Sequence, residues 1–166
     1  GTRPEIIKLA PIINLLKKKK VNLKLVHSGQ HFSSNMSKIF LKNFQINKID
    51  YHLNFKKKNN PNNFINFYSD MFKKILLDEN PDSLIVQGDT NTCLVSAFVA
   101  KKLKNLSSIK TNIIHIEAGL RSYDLKMPEE SNRIIVDHLS DILFPPTSIQ
   151  KKILIKEGIK KPIYVV

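Results

Sequence analysis

Three short apolar runs, each closed by small or turn-forming residues, constrain this chain more than any other feature. They are "SLIVQGDT" (83–90), "NIIHIEAG" (112–119) and "DILFPPT" (141–147). Each has the length of a strand, is rich in Ile, Leu or Val, and is too uniformly apolar to leave one face in water. Between them lie stretches with helical spacing. Residues 92–103 carry small Ala97 and Ala100, suited to close packing, and residues 129–140 form a helix opened by Pro128. A helix over 148–157 then leads to a last strand, "PIYVV" (162–166). Strands that alternate with helices in this way imply an α/β protein, a parallel sheet with helices on both faces.

The first half follows the same alternation less regularly. Residues 4–20 read as a helix: Pro4 suits a first turn, and Ile6, Ile7, Leu9, Ala10, Ile13 and Leu16 recur at helical spacing. Lys17 to Lys20 stand at the end where the helix dipole favours positive charge. Pro11 should kink this helix or shift its start. Leu23–His27 predicts a short strand leading into Ser28-Gly29-Gln30-His31. A helix is expected over 34–44, a solvated loop over 55–63, and an amphipathic helix over 63–79 through Phe64, Phe67, Tyr68, Met71, Phe72, Ile75 and Leu76. With 166 residues, no internal repeat and no linker, the expectation is one domain over 1–166. Gly1-Thr2-Arg3-Pro4 has the character of a loop that follows a strand, and "IYVV" runs straight off the end. A doubly wound domain without its first strand is the expectation.

Composition narrows the function classes. Hydrophobic residues at 42% and charged residues at 25% describe a globular chain. No apolar run approaches the ~20 residues of a membrane span, and no signal peptide opens the sequence. The single Cys93 excludes a disulfide framework and fits a reducing cytoplasm. The net charge of +13 raises nucleic acid as a partner. The way the charge is made argues against it: of 27 basic residues only Arg3, Arg121 and Arg133 are Arg. The rest are Lys, spread along the chain with few aromatics between them. No nucleic acid and no membrane partner is expected, and a basic binding domain ranks below an enzyme. The three Arg each lie beside Pro, Gly or Glu, where a rigid fork can grip carboxylate or phosphate as Lys cannot.

In open parallel sheets, ligands bind outside the carboxyl ends of the strands. Residues 1–5, 28–31, 88–92 and 117–121 should meet at that edge. The first of these feeds a helix N-terminus, which suits an anion; Arg3 would add a phosphate grip, with Lys8 about one turn further in. The plainer reading is a helix start with a surface Arg. There is no GxGxxG, no GxxxxGK[ST] and no G-x-S-x-G, and five His with one Cys give no metal-ligand pattern. Asp89 either caps the helix that follows it or serves chemistry. Glu117 should stand near the interior edge of the sheet, where a carboxylate needs a partner or a task. Glu129 and Arg133 share a face at i,i+4 in the favourable acid-first order, near a helix N-terminus. His115 reads as a satisfied core histidine, and Asp137 and His138 as helix packing.

Taken together, "GTRPEIIKLAP", "SGQH", "QGDTNT", "HIEAGLRS" and "PEESNRIIVDHLSD", in that order, resemble the non-hydrolysing UDP-N-acetylglucosamine 2-epimerase family from Gly1 to Thr147. Each motif alone is modest; five in order are specific. The resemblance implies a Rossmann-like half of a two-domain fold of the glycosyltransferase-B type, with the site between the domains. It implies inversion at C2 of UDP-GlcNAc to give UDP-ManNAc, through elimination of UDP and its re-addition to 2-acetamidoglucal, with no cofactor. By matching motifs, Asp89, Glu117 and Glu129 become acid/base candidates. Arg3 and Lys8 would serve the diphosphate, and Arg133 would orient Glu129 or touch ligand. Gln30 and His31 match the region of an allosteric UDP-GlcNAc site, although the loop "NFKKKNNPNNF" lacks the polar pattern that accompanies such a site. The missing domain would hold the uridine and a further catalytic His, so these 166 residues alone should be inactive. A UDP-sugar substrate, a cytoplasmic location and a homodimer at full length are further implications. Three alternatives remain open: an epimerase for a UDP-diacetamido-uronic acid, a hydrolysing relative that releases free ManNAc, and a non-catalytic binding half.

Overall fold

A computed structural model of the chain describes residues 2–29, 41–46, 48–53 and 64–166, and the side chain of Arg3 is not among what it describes. Most of the helix expected over 34–44 and the whole loop over 55–63 lie outside the described residues, as do Gln30 and His31. The chain divides into two compact units, Gly1–Phe64 and Ile65–Val166.

In the first unit, α1 (Arg3–Lys18) begins with Pro in its first turn and ends on Lys17 and Lys18. The Thr2 N–H donates to the carboxylate of Glu5 and so satisfies one donor that the helix itself leaves open. Ile6 and Ala10 pack with Ile46 in a small core that also takes in Ile13, Leu25, Leu41, Phe44 and Ile49. The helix neither starts after Pro11 nor stops at it. Pro11 and Ile7 are both exposed, so the carbonyl that loses its partner to the proline ring is on the side that water reaches. Only Val26–His27 of the expected strand forms a ladder, β1, and its parallel partner β2 (Tyr51–His52) was not expected from the sequence.

The second unit matches the periodicity closely. α2 (Phe64–Glu79) buries Tyr68, Phe72, Ile75 and Leu76. Then come β3 (Ser83–Gln87), α3 (Asn91–Asn105), β4 (Asn112–Ile116), α4 (Pro128–Leu139), β5 (Ile142–Phe144) and α5 (Ser148–Lys156). The described strands form a parallel sheet in the order β3-β4-β5, in register Val86↔His115 and His115↔Leu143. This is the expected α/β class, parallel strands with helices on both sides. The expected last strand is reduced to a bridge of Ile163 with Leu143, supported by backbone bonds from Leu143 to Pro162 and from Tyr164 to Leu143. Ala118, Leu143, Leu154 and Ile159 close the core beside it.

Candidate active site

The ends of β3 and β4 form two adjoining corners, stitched together where the Gly88 N–H donates to the Ile116 carbonyl at 3.2 Å. Gly88 has φ +74° and Glu117 φ +69°. Glycine adopts that left-handed conformation freely, whereas a glutamate does so at a cost of about 1–3 kcal/mol, and such strain gathers at functional positions. The Glu117 and Ala118 N–H groups share the Phe144 carbonyl, at 3.0 and 3.3 Å, and hold the second corner to β5. The Gln87 side-chain amide donates to the Glu117 carboxylate.

Asp89, on the first corner, does not cap α3. Thr90 takes that place, its hydroxyl accepting from the Cys93 N–H at 3.3 Å. The Asp89 carboxylate is instead held by Arg133 of α4, whose Nε and Nη2 donate to Oδ2 at 2.8 and 2.6 Å. The neighbouring Asn132 donates to the Asp89 carbonyl at 2.8 Å and to Asn91 Oδ1 at 3.0 Å. Cys93 Sγ donates to the Gly88 carbonyl at 3.3 Å. The corner that carries Asp89 is thus fixed through both backbone and side chain.

Arg133 also donates, through Nη1, to Glu130 Oε2 at 2.8 Å. This corrects the expected Glu129–Arg133 pair: the bond is made at i,i+3, and Glu129 stays exposed in the first turn of α4. The reason is the inward face of α4, which puts Glu130, 1% exposed, under the loop that follows β4. There Glu130 accepts from the Ser122 N–H (2.9 Å), the Ser122 hydroxyl (2.9 Å) and the Tyr123 N–H (3.0 Å). Burial disfavours its charge, but the two backbone N–H groups, the Ser122 hydroxyl and Arg133 together outweigh burial and bring its pKa down to about 2. Burial likewise works against the charge of Arg133, and Asp89 and Glu130 overcome it to raise its pKa.

Arg121 has an internal task too. Its side chain is 1% exposed; it grips both oxygens of Glu157 and places Nη2 2.8 Å from Asp137 Oδ2. Asp137 is fully buried, accepts the Gly119 N–H at 3.1 Å and meets His115 Nδ1 at 2.7 Å. His115 Nε2 lies 2.9 Å from the Gly88 carbonyl. One ring nitrogen of His115 thus faces the Asp137 carboxylate and the other the Gly88 carbonyl, so the imidazole spans α4 and the corner after β3. The expected core histidine and helix-packing aspartate are therefore the brace that ties the two corners to α4.

Against known proteins, a family model described as UDP-N-acetylglucosamine 2-epimerase matches residues 14–166. The chain belongs to this family. It is 46% identical, over all of its own length, to the UDP-N-acetylglucosamine 2-epimerase of Methanocaldococcus jannaschii. It is 38% identical, over 97% of its length, to the UDP-2,3-diacetamido-2,3-dideoxy-D-glucuronate 2-epimerase of Pseudomonas aeruginosa. Among solved structures it superposes with a TM-score of 0.90, at 46% identity over the whole chain, on the M. jannaschii UDP-GlcNAc 2-epimerase in complex with UDP-GlcNAc and UDP. The chain spans 44% of the length of each of these proteins.

Within this epimerase-family chain the expected residues fall into three groups. Asp89, Glu117 and Arg133 stand on or against the two corners of the second unit. Glu129 is exposed beside the pinned Glu130. Arg3 and Lys8 belong to α1 of the first unit, where Lys8 is exposed. Sequence reasoning missed Gln87, Glu130 and Asn132. The signal for Glu130 was present in "PEESNR", where Arg133 reaches back three residues as easily as four. Among the described residues no group of three or more His, Cys, Asp or Glu could hold a metal ion, and no helix is long and apolar enough to cross a membrane.

Proposed function

We propose that the protein to which these residues belong interconverts UDP-GlcNAc and UDP-ManNAc. One observation carries the reading: two carboxylates, Asp89 and Glu117, sit on adjoining corners at the carboxyl edge of a parallel sheet in a chain of this family. Elimination of UDP from C1 with loss of the C2 proton leaves 2-acetamidoglucal. UDP then returns to C1 while C2 takes a proton from the opposite face. Two carboxylates, one held by Arg133 and the other by Gln87, suit a reaction that removes and returns a proton on two faces of one carbon. Asp89, Glu117 and Glu129 are the proposed acid/base groups. Arg3 and Lys8 are proposed to meet the diphosphate. Arg133 is proposed to act through Asp89, as its contacts support, and not through Glu129.

The 166 residues are proposed to be one domain of a longer enzyme, inactive by themselves, that works in the cytoplasm as a homodimer. Gln30 and His31 are proposed for an allosteric site. The test incubates the full-length gene product with UDP-GlcNAc in heavy water and follows the sugar C2 proton by NMR. Deuterium at C2 together with UDP-ManNAc supports the reading, and free ManNAc with UDP replaces it by hydrolysis. A second reading, a UDP-diacetamido-uronic acid as substrate, is favoured by the 38% identity to the P. aeruginosa enzyme. Exchange with that sugar and none with UDP-GlcNAc would select it.

A further inference from the structure

Gln87 is the last residue of β3 and only 5% exposed. Its amide has two ends with different fates. The NH2 end faces the Glu117 carboxylate, an arrangement that sets a donor against an acceptor oxygen. That choice fixes the direction of Oε1. Oε1 is buried and has no hydrogen-bond partner among the described residues. A buried acceptor without a donor is costly, and such groups are rare where nothing repays them. This one stands beside a glutamate with left-handed backbone, at the strand end where ligands of parallel sheets bind.

We propose that Gln87 is a positioning residue for Glu117 and that its Oε1 accepts a hydrogen bond from an O–H or N–H donor of the hexosamine. The inference rests on the function proposed above, with Glu117 as a proton-transfer group. The donated bond holds one Glu117 oxygen in place and fixes the plane of the carboxylate. The acceptor sets the sugar against that plane, so one side chain aligns both reaction partners, as proton transfer demands.

Two variants of the full-length gene product separate the two ends of the amide. Gln87→Met keeps the shape and removes both donor and acceptor. Gln87→Glu keeps an acceptor oxygen but offers the donor only when protonated. With UDP-GlcNAc in heavy water, Gln87→Met should lower kcat about 10- to 100-fold and raise KM. Gln87→Glu should keep KM near wild type and lose kcat at alkaline pH. It should regain kcat as the pH falls, because two carboxyls so close share a proton, and the protonated one donates again. Thermal melts confirm that each variant is folded. An active wild type whose folded variants both keep kcat within about twofold, or change KM alone, overturns the inference and leaves the proposed function standing. A wild type that turns over neither UDP-sugar overturns the proposed function, and the inference with it.

Discussion

Glu130 accepts four hydrogen bonds, three from the loop after β4 and one from Arg133, in a place that water barely reaches. Its pKa falls from an ordinary 4.5 to about 2, so folding favours the ionised form. The stability this contributes is complete above the unfolded value near 4.5 and is lost as the pH falls toward 2. Melting temperature should therefore drop across that window, and a Glu130→Gln variant should show a flatter profile there. Above the window the same variant should be less stable by about 3 kcal/mol, because it leaves Arg133 without one of its partners. Glu129, its exposed neighbour, should behave in the opposite way. Glu129→Gln is expected to leave stability within about 0.5 kcal/mol while lowering turnover of the full-length protein. Glu117→Gln should lower turnover about 100- to 10,000-fold with the fold intact. A near-normal rate in steady-state kinetics would remove either residue from the catalytic set.

At the scale of elements, the left-handed residues at the sheet edge are not equivalent. A Cβ on Gly88 would meet nothing within 4 Å, so only its φ of +74° resists substitution. A Cβ on Gly119 would stand 2.7 Å from the Gln150 carbonyl oxygen and 2.9 Å from Leu154 Cγ, both on α5. Gly88→Ala should cost about 1–2 kcal/mol and Gly119→Ala about 2–4 kcal/mol, since a backbone oxygen cannot give way as a side chain can. Thermal melts of the two variants check the order. The elements themselves were legible where local signals agreed: β3, β4 and β5 are apolar runs closed by turns, and α2 has an unbroken apolar stripe. β2 was not legible, because two residues that pair with two others carry no period. Nor could the sequence tell Glu129 from Glu130. Spacing puts both within reach of Arg133, and the choice is made by the loop N–H groups of Ser122 and Tyr123, which no local pattern announces. Gln87 was hidden for a related reason: a polar residue at a strand end reads as the end of the strand.

At the scale of the molecule, net charge says less than the placement of a few opposite charges. The +13 of the chain is mostly Lys, whereas the second unit turns on a buried brace of Asp137, His115 and Arg121, closed by Glu157. Burial works against the Arg121 charge, yet Glu157 and Asp137 together raise its pKa. Asp137 holds this brace together, since one carboxylate meets the histidine on β4, the Gly119 backbone and the arginine that reaches α5. Replacing it by Asn keeps the shape but removes the anion between two buried donors, and breaking a buried pair in this way costs about 3–5 kcal/mol. For a chain of this length the melting temperature should fall by about 10 °C. The loss should be global, because the brace joins β3, β4, α4 and α5 at once. Hydrogen exchange should then show the amides of Gly88 and Gly119 losing protection together with those of β4. If the two corners alone were to open while β4 stayed protected, Asp137 would be a local clamp, and the corners could move without the sheet.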